Sequence, residues 1–229
     1  MYFYDENNVK RLWLHLHGLA TNVMGNKIAF LREYFSRKGI YSFFAMDMDY
    51  EKHTTTNTLN TLEILVRGFS QKYEEIHLCG SSHGAYIALN YVKHKPLFNV
   101  KKLILLAPSY NTLGLMIKEF GEEKLRNWLE GKEELSIEED GREVIFIKEW
   151  AKDILEHGYE IIKEGNVDFP KKPPVDIVIM HGTKDEIVPI SLSEEFVRNV
   201  KVNKFIKVED DHQLNESLKK YIEELIYEV

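Results

Sequence analysis

A serine flanked by glycines, in the run Gly80-Ser81-Ser82-His83-Gly84, is the first place in this chain where residue types and spacing could do chemistry. The apolar run Ile76-His77-Leu78-Cys79 leads into it, and the helix-like stretch Ala85 to Val92 follows. A strand, a tight turn and a helix in that order lift a serine hydroxyl clear of a sheet, and side chains at the two glycine positions would collide with the neighbouring elements. Raised in this way, Ser82 is a candidate nucleophile. The N–H of His83 can then face the oxyanion that develops on an attacked carbonyl. A G-x-S-x-G pattern arises by chance roughly 0.08 times in a chain this long. The partners that a serine nucleophile needs must therefore decide.

Those partners follow in order. The strand-like Val175 to Met180 runs into His181-Gly182-Thr183-Lys184-Asp185, and Lys204 to Val208 runs into Glu209-Asp210-Asp211-His212. Ser82, Asp185 and His212 each fall just past a predicted strand. The order Ser, Asp, His is that of the α/β-hydrolases and differs from the trypsin-like and subtilisin-like orders. On these motifs the chain resembles the α/β-hydrolase superfamily of serine esterases, lipases and peptidases. The likeness runs from about residue 9 to the C-terminus, apart from a segment near 109–172.

The resemblance implies Ser82 as nucleophile, His212 as general base and Asp185 as the acid that orients the imidazole. It also implies a second oxyanion donor beside His83, the N–H of Leu19, the residue after His17-Gly18. That loop lacks the Gly-Gly-Gly run of some lipases and esterases. Ser81 occupies the variable position before the nucleophile, facing away from the donors. Cys79 lies on the buried strand, where a free cysteine behaves as a small hydrophobe. His15, His17 and His181 are the rival bases, but His15 lies within its strand and the His-Gly pairs at 17 and 181 shape turns. Asp210 and Asp211 are the rival acids, although neighbouring side chains on one loop rarely aim at each other. Some members of the superfamily place the acid after the preceding strand, and Ala107 to Asn111 offers no carboxylate there. Asp47, Asp49 and His53 follow a strand and read as a polar loop rather than a metal site.

Short apolar strands alternating with helical stretches must position these groups. Tyr2 to Tyr4, Val9 to Leu16, Tyr41 to Met46, Ile76 to Cys79, Leu103 to Leu106, Val175 to Met180 and Phe205 to Val208 read as strands. Helices are expected over the apolar positions Ile28 to Phe35 and Leu59 to Phe69, and near 84–94, 191–200 and 213–227. This is the pattern of an α/β fold with a mostly parallel central sheet and helices on both faces. Ligands of such sheets bind outside the carboxyl ends of the strands, where Ser82, Asp185 and His212 fall. The core is expected over 1–109 and 173–229. Residues 110–172, too long for a simple connection, are expected to form an inserted cap. Within the insertion, Leu115 to Leu129 reads as a helix, Leu135 to Ile147 as a hairpin about Asp140-Gly141, and Phe146 to Ile162 as a further helix.

Composition bounds the function. The 229 residues are 44% hydrophobic and 29% charged with a net charge of −7, ordinary for one soluble domain. Acidity without a Lys/Arg-dense stretch argues against nucleic acid. No apolar run reaches the length of a membrane span, the N-terminal residues do not resemble a signal peptide, and one cysteine fits a reducing compartment. The expectation is cytoplasmic. Residues 109–172 hold ten Lys or Arg against sixteen Asp or Glu, a local charge of −6, so most of the excess negative charge lies in the expected cap. Phosphate-loop, dinucleotide and zinc-ligand motifs are absent, and no metal or organic cofactor is implied. The expected activity is hydrolysis of a small carboxylic ester through a Ser82 acyl-enzyme. Thioesterase and small serine peptidase or amidase activities use the same machinery, and a catalytically silent binding protein is the alternative from another class. The sequence sets neither the substrate nor an oligomeric state.

Overall fold

The computed structural model describes residues 1–227 apart from 20, 51, 140 and 141. In chain order the core begins with β1 (Tyr2–Asp5), β2 (Arg11–Leu16), α1 (Asn26–Lys38), β3 (Ser42–Met46), α2 (Thr55–Phe69), β4 (Glu75–Ser81), α3 (His83–His94) and β5 (Val100–Leu106). Residues beyond β5 form α4 (Thr112–Phe120), α5 (Glu122–Leu129), β6 (Ser136–Glu139), β7 (Arg142–Ile145), α6 (Lys148–His157), β8 (Ile162–Lys163) and β9 (Asn166–Val167). The chain then returns to the sheet through β10 (Asp176–Gly182), α7 (Ile190–Asn199), β11 (Lys204–Val208) and α8 (Asn215–Ile226).

Successive side chains of a strand point to opposite faces of the sheet, and the central strands are apolar on both. Leu12, Leu14, Leu103, Leu105, Ile177 and Ile179 join one buried cluster with α2, α3 and residues beyond β5. Their strand neighbours Trp13, Ile104, Leu106, Val178 and Met180 face the other side, where α1 and α8 cover them. A sheet buried on both faces explains why these strands read as continuous apolar runs rather than as polar–apolar alternation.

The central sheet has the order β1-β3-β2-β4-β5-β10-β11. Only β1 is antiparallel to its neighbour, and β3 to β11 pair in parallel. From β2 the chain moves outward to β3, then crosses back to β4 on the other side. That reversal makes the β2/β4 boundary a topological switch point, and its crevice lies at the carboxyl ends of the strands.

Residues 110–172 depart from expectation in detail. The predicted helix over Leu115–Leu129 is two helices, because Gly121 at φ 82° breaks the chain between α4 and α5. The predicted helix over 146–162 ends at His157, with Gly158 as a left-handed cap, and a short β8–β9 hairpin follows. Strands β6 and β7 form the expected hairpin, although the Asp140-Gly141 turn lies outside the described residues. Trp128, Phe146, Trp150, Ile154 and Ile161 pack into the same buried cluster as α3 and the sheet. Thr56 at the start of α2 bonds through its N–H and Oγ1 to Asp153 at 2.8 and 2.6 Å. Strand β2 starts at Arg11, two residues later than the apolar pattern suggests.

Candidate active site

Ser82 stands between β4 and α3 with φ 53° and ψ −116°. A non-glycine residue there is strained by about 1–3 kcal/mol and persists only where its surroundings enforce it. Two glycines do so. A Cβ on Gly80 would overlap the backbone of Gly84 and Ala85, and one on Gly84 would overlap the Leu16 carbonyl. Helix α3 can therefore cross β2 and β4 closely only where both residues lack side chains. Gly84→Ala is expected to destabilise the fold by at least about 2 kcal/mol, a Tm drop of about 4–8 °C in a thermal melt. Gly68, in α2, has nothing near its Cβ position. Gly68→Ala should raise stability by up to about 1 kcal/mol, and a smaller loss for Gly84→Ala than for Gly68→Ala would contradict the close-approach argument.

Strain gathers around this edge of the sheet. Ala107 (φ 43°) and Leu214 (φ 52°) also have positive φ, in the loops after β5 and β11.

The loop after β2 packs directly on Ser82, since a Cβ on Gly18 would sit 3.4 Å from Ser82 Cβ. His17 braces that loop from within the core. Its Nε2 accepts the Met48 N–H at 2.9 Å, which leaves Nδ1 to donate to the Gly18 carbonyl at 2.7 Å. The Tyr50 hydroxyl donates to the His17 carbonyl at 3.0 Å. His17 is thus committed to loop structure, as the His-Gly reading expects. Among the described residues no acceptor takes the N–H of Leu19 or of His83. The His83 ring lies edge-on to Tyr50 (4.7 Å) and to Trp150 of α6 (5.5 Å). Burial pushes the His83 and His15 imidazoles down to about 3, leaving both neutral and poor as bases.

Strands β10 and β11 run in register, with Gly182 opposite Val208, so their following loops emerge side by side. Gly182 permits it, because a Cβ there would overlap the Asp210 carbonyl. The two loops are tied by N–H bonds from Thr183 to Val208 O (2.8 Å) and from Lys184 to Asp210 O (3.1 Å). Asp185 and His212 meet as a result, with His212 Nδ1 2.7 Å from Asp185 Oδ2. The Asp185 side chain is fully buried while that of His212 keeps 11% exposure, so the imidazole is reachable and its partner is not.

Asp185 has all its acceptor capacity engaged. Oδ1 accepts the N–H groups of Ile187 (3.0 Å) and Val188 (2.8 Å), and Oδ2 faces both His212 and His181. Burial alone would raise this carboxyl, but the bonds from His181 and His212 outweigh it and hold the group well below the usual carboxylate range. The rival acids are turned elsewhere. Asp210 accepts the Ser217 N–H at 3.0 Å and Asp211 the Gln213 N–H at 2.8 Å, so both shape the loop that carries His212.

The structure thus brings Asp185 to His212 and sets Gly18 against Ser82. The Ser82 hydroxyl bonds to no described residue. Burial pushes the Cys79 thiol up, so that side chain is an inert part of the core. No group of His, Cys, Asp and Glu suited to a metal occurs among the described residues. Asp47 pairs with the N-terminal amine at 3.0 Å and Asp49 with Lys52 at 3.0 Å. Sequence reasoning missed the neighbour of Asp185. His181 reads as a turn residue, yet its buried ring touches the carboxylate, and the four-residue spacing to Asp185 is the one signal that could have found it.

The sequence model of an uncharacterised protein family, UPF0227, matches residues 12–227. No curated protein matches the sequence. Similar solved structures include a candidate hydrolase from Agrobacterium vitis, with a TM-score of 0.78, 17% identity and coverage of 99% of this chain and 92% of that one. Mouse alpha/beta hydrolase domain-containing protein 10 superposes with a TM-score of 0.72 at 19% identity, covering 98% of this chain and 92% of its own. Est1E from Butyrivibrio proteoclasticus gives 0.68 at 22% identity, covering 98% and 93%. At these identities the likeness speaks to architecture. The chain has the α/β-hydrolase fold.

Proposed function

We propose that this chain, which belongs to the UPF0227 family, is a serine hydrolase that cleaves a small carboxylic ester through a Ser82 acyl-enzyme. The observation that carries the reading is the buried, ionised Asp185 bonded to a reachable His212, at the same sheet edge as a strained Ser82. In this account His212 Nε2 takes the Ser82 proton as Oγ attacks the ester carbonyl carbon. The resulting oxyanion is held by the N–H groups of His83 and Leu19. Collapse breaks the bond to the alcohol oxygen, which leaves with the proton from His212. Water, deprotonated by the same imidazole, then hydrolyses the acyl-enzyme and releases the acid. Asp185 holds the ring with Nδ1–H inward and stabilises the imidazolium while it lasts. Each oxyanion donor contributes about 3–4 kcal/mol.

Residues 110–172 are the cap in this reading. Contact of Trp150 with His83, and a bond from Lys118 Nζ to the Glu186 carbonyl at 3.1 Å, support a position over the site, since Glu186 follows the acid. Est1E was solved with ferulic acid bound, which suits an esterase assignment for this scaffold. A single buried cysteine fits a reducing compartment, and the cytoplasm is the location we propose.

The cap's charge selects among substrates. A local charge of −6 repels polyanionic acyl-CoA over a Debye length that reaches about 30 Å at 0.01 M salt. Matched p-nitrophenyl and CoA-linked acyl groups are therefore expected to differ in kcat/KM in favour of the neutral ester, with the gap widest at low ionic strength. A higher kcat/KM for the CoA substrate at low salt would move the reading to a thioesterase. Turnover confined to aminoacyl amides would move it to a peptidase.

A further inference from the structure

The buried partner of Asp185 is itself backed by a directed chain of hydrogen bonds. His181 Nε2 lies 3.1 Å from Asp185 Oδ2 and 3.0 Å from the Val188 carbonyl oxygen. Both neighbours accept, so Nε2 carries the proton. Its Nδ1 lies 2.7 Å from Ser193 Oγ on α7, and Ser193 Oγ lies 3.0 Å from the Tyr110 hydroxyl. His181, Ser193 and Tyr110 are all fully buried. In a neutral ring Nδ1 accepts the Ser193 proton, and Ser193 Oγ in turn accepts that of Tyr110. Every donor then points one way, from Tyr110 through Ser193 and His181 to Asp185, while His212 reaches the same oxygen from the solvent side. Tyr110 is fixed in turn by stacking on Phe196 at 4.9 Å, and its carbonyl accepts the N–H groups of Ile161 (2.9 Å) and Ile162 (3.1 Å).

We infer that His181 is a positioning residue that holds the Asp185 carboxylate in the orientation His212 requires, with Ser193 and Tyr110 fixing the His181 tautomer that makes Nε2 the donor. The inference rests on the serine-hydrolase reading for its kinetic consequence but not for its geometry. Without the His181 N–H, Oδ2 keeps only His212 as a side-chain donor, and the carboxylate is held from within the protein through Oδ1 alone, by the Ile187 and Val188 N–H groups. A misplaced acid tilts the imidazole, and a displacement of about 1 Å in a catalytic constellation can cost about 100-fold in rate. The proposed nucleophile Ser82 and the oxyanion donors Leu19 and His83 make no contact with His181, so the loss belongs in kcat rather than KM.

The test compares the full-length wild type with His181→Phe, which keeps a ring but not the donor, and with Ser193→Ala, which removes one hydroxyl and leaves the ring. Two readouts are taken: steady-state hydrolysis of a p-nitrophenyl ester, and the far-downfield proton resonance of His212 Nδ1–H in the short bond to Asp185. His181→Phe is expected to lower kcat about 10- to 100-fold with KM within about threefold of wild type, and to shift or broaden that resonance. Ser193→Ala should move both in the same direction by less, and it decides alone if His181→Phe does not fold. Unchanged kcat, or a kcat loss with the resonance where it stands in the wild type, would overturn the positioning role. If the resonance responds while the wild type hydrolyses nothing, the network stands and the hydrolase reading falls.

Discussion

Replacing Ser82 with alanine is expected to abolish ester hydrolysis while leaving the fold in place. The serine is partly buried and its hydroxyl bonds to no described residue, so removal of one oxygen leaves no orphaned partner in the core. Alanine must still adopt φ near 53°, a conformation that costs it about as much as serine, so Tm should stay close to that of the wild type. Activity should fall by several orders of magnitude, because no other group in the site replaces the attacking oxygen. Adding Asp185→Asn or His212→Ala to Ser82→Ala should cost almost nothing more, since residues that act as a unit do not contribute additively. A Ser82→Ala protein that keeps more than a few per cent of wild-type kcat would remove Ser82 from the mechanism.

Asp185→Asn is the second large effect, expected to reduce kcat about 10⁴-fold with substrate affinity little changed. The amide keeps the shape, but it offers Oδ2's two imidazole neighbours at most one acceptor and can present an N–H to either ring. His212 is then free to turn its Nδ1 away or to adopt the wrong tautomer. Stability should respond with a definite sign. The folded-state pKa of Asp185 is depressed, so the carboxylate contributes stability that is fully present above its unfolded value of about 3.9. That contribution is lost as pH falls through the depressed folded value. Asp185→Asn should therefore melt below the wild type at neutral pH and show a shallower loss on acidification. Asp211→Asn is the control, because Asp211 is exposed and bonds only within its own loop. A severe kcat loss for Asp211→Asn with none for Asp185→Asn would reassign the acid.

Much of the architecture was legible because the physics is local. Strands buried on both faces are short apolar runs, and Gly39 and Lys95 to Pro96 punctuate the helices that connect them. The candidate nucleophile was legible from Gly80 and Gly84, whose missing side chains are the condition for the β4–α3 crossing. Asp185 and His212 were legible as residues that follow two strands, and the β10–β11 register converts that sequence position into contact. Contacts that depend on tertiary placement were not. Ser193 lies on α7, twelve residues beyond His181, and nothing in its local sequence marks it as a partner of that ring. Tyr110 reads as the first residue of an insertion, yet its phenol reaches the same network. Within residues 110–172 apolar residues recur on both sides of Gly121, and the sequence reads as one helix where the structure has two. The Glu164-Gly165 pair, both at positive φ, makes the β8–β9 turn, but the flanking strands are two residues each, too short to show any period.

The central claim is that Ser82 is an activated nucleophile. Reaction of the folded protein with a fluorophosphonate, followed by intact-mass and peptide mapping, tests it without any assumption about the natural substrate. The account predicts a single adduct on Ser82, no adduct on Ser82→Ala, and much slower labelling of His212→Ala. A folded wild type that does not react, or whose adduct maps to Ser81 or another residue, would contradict it.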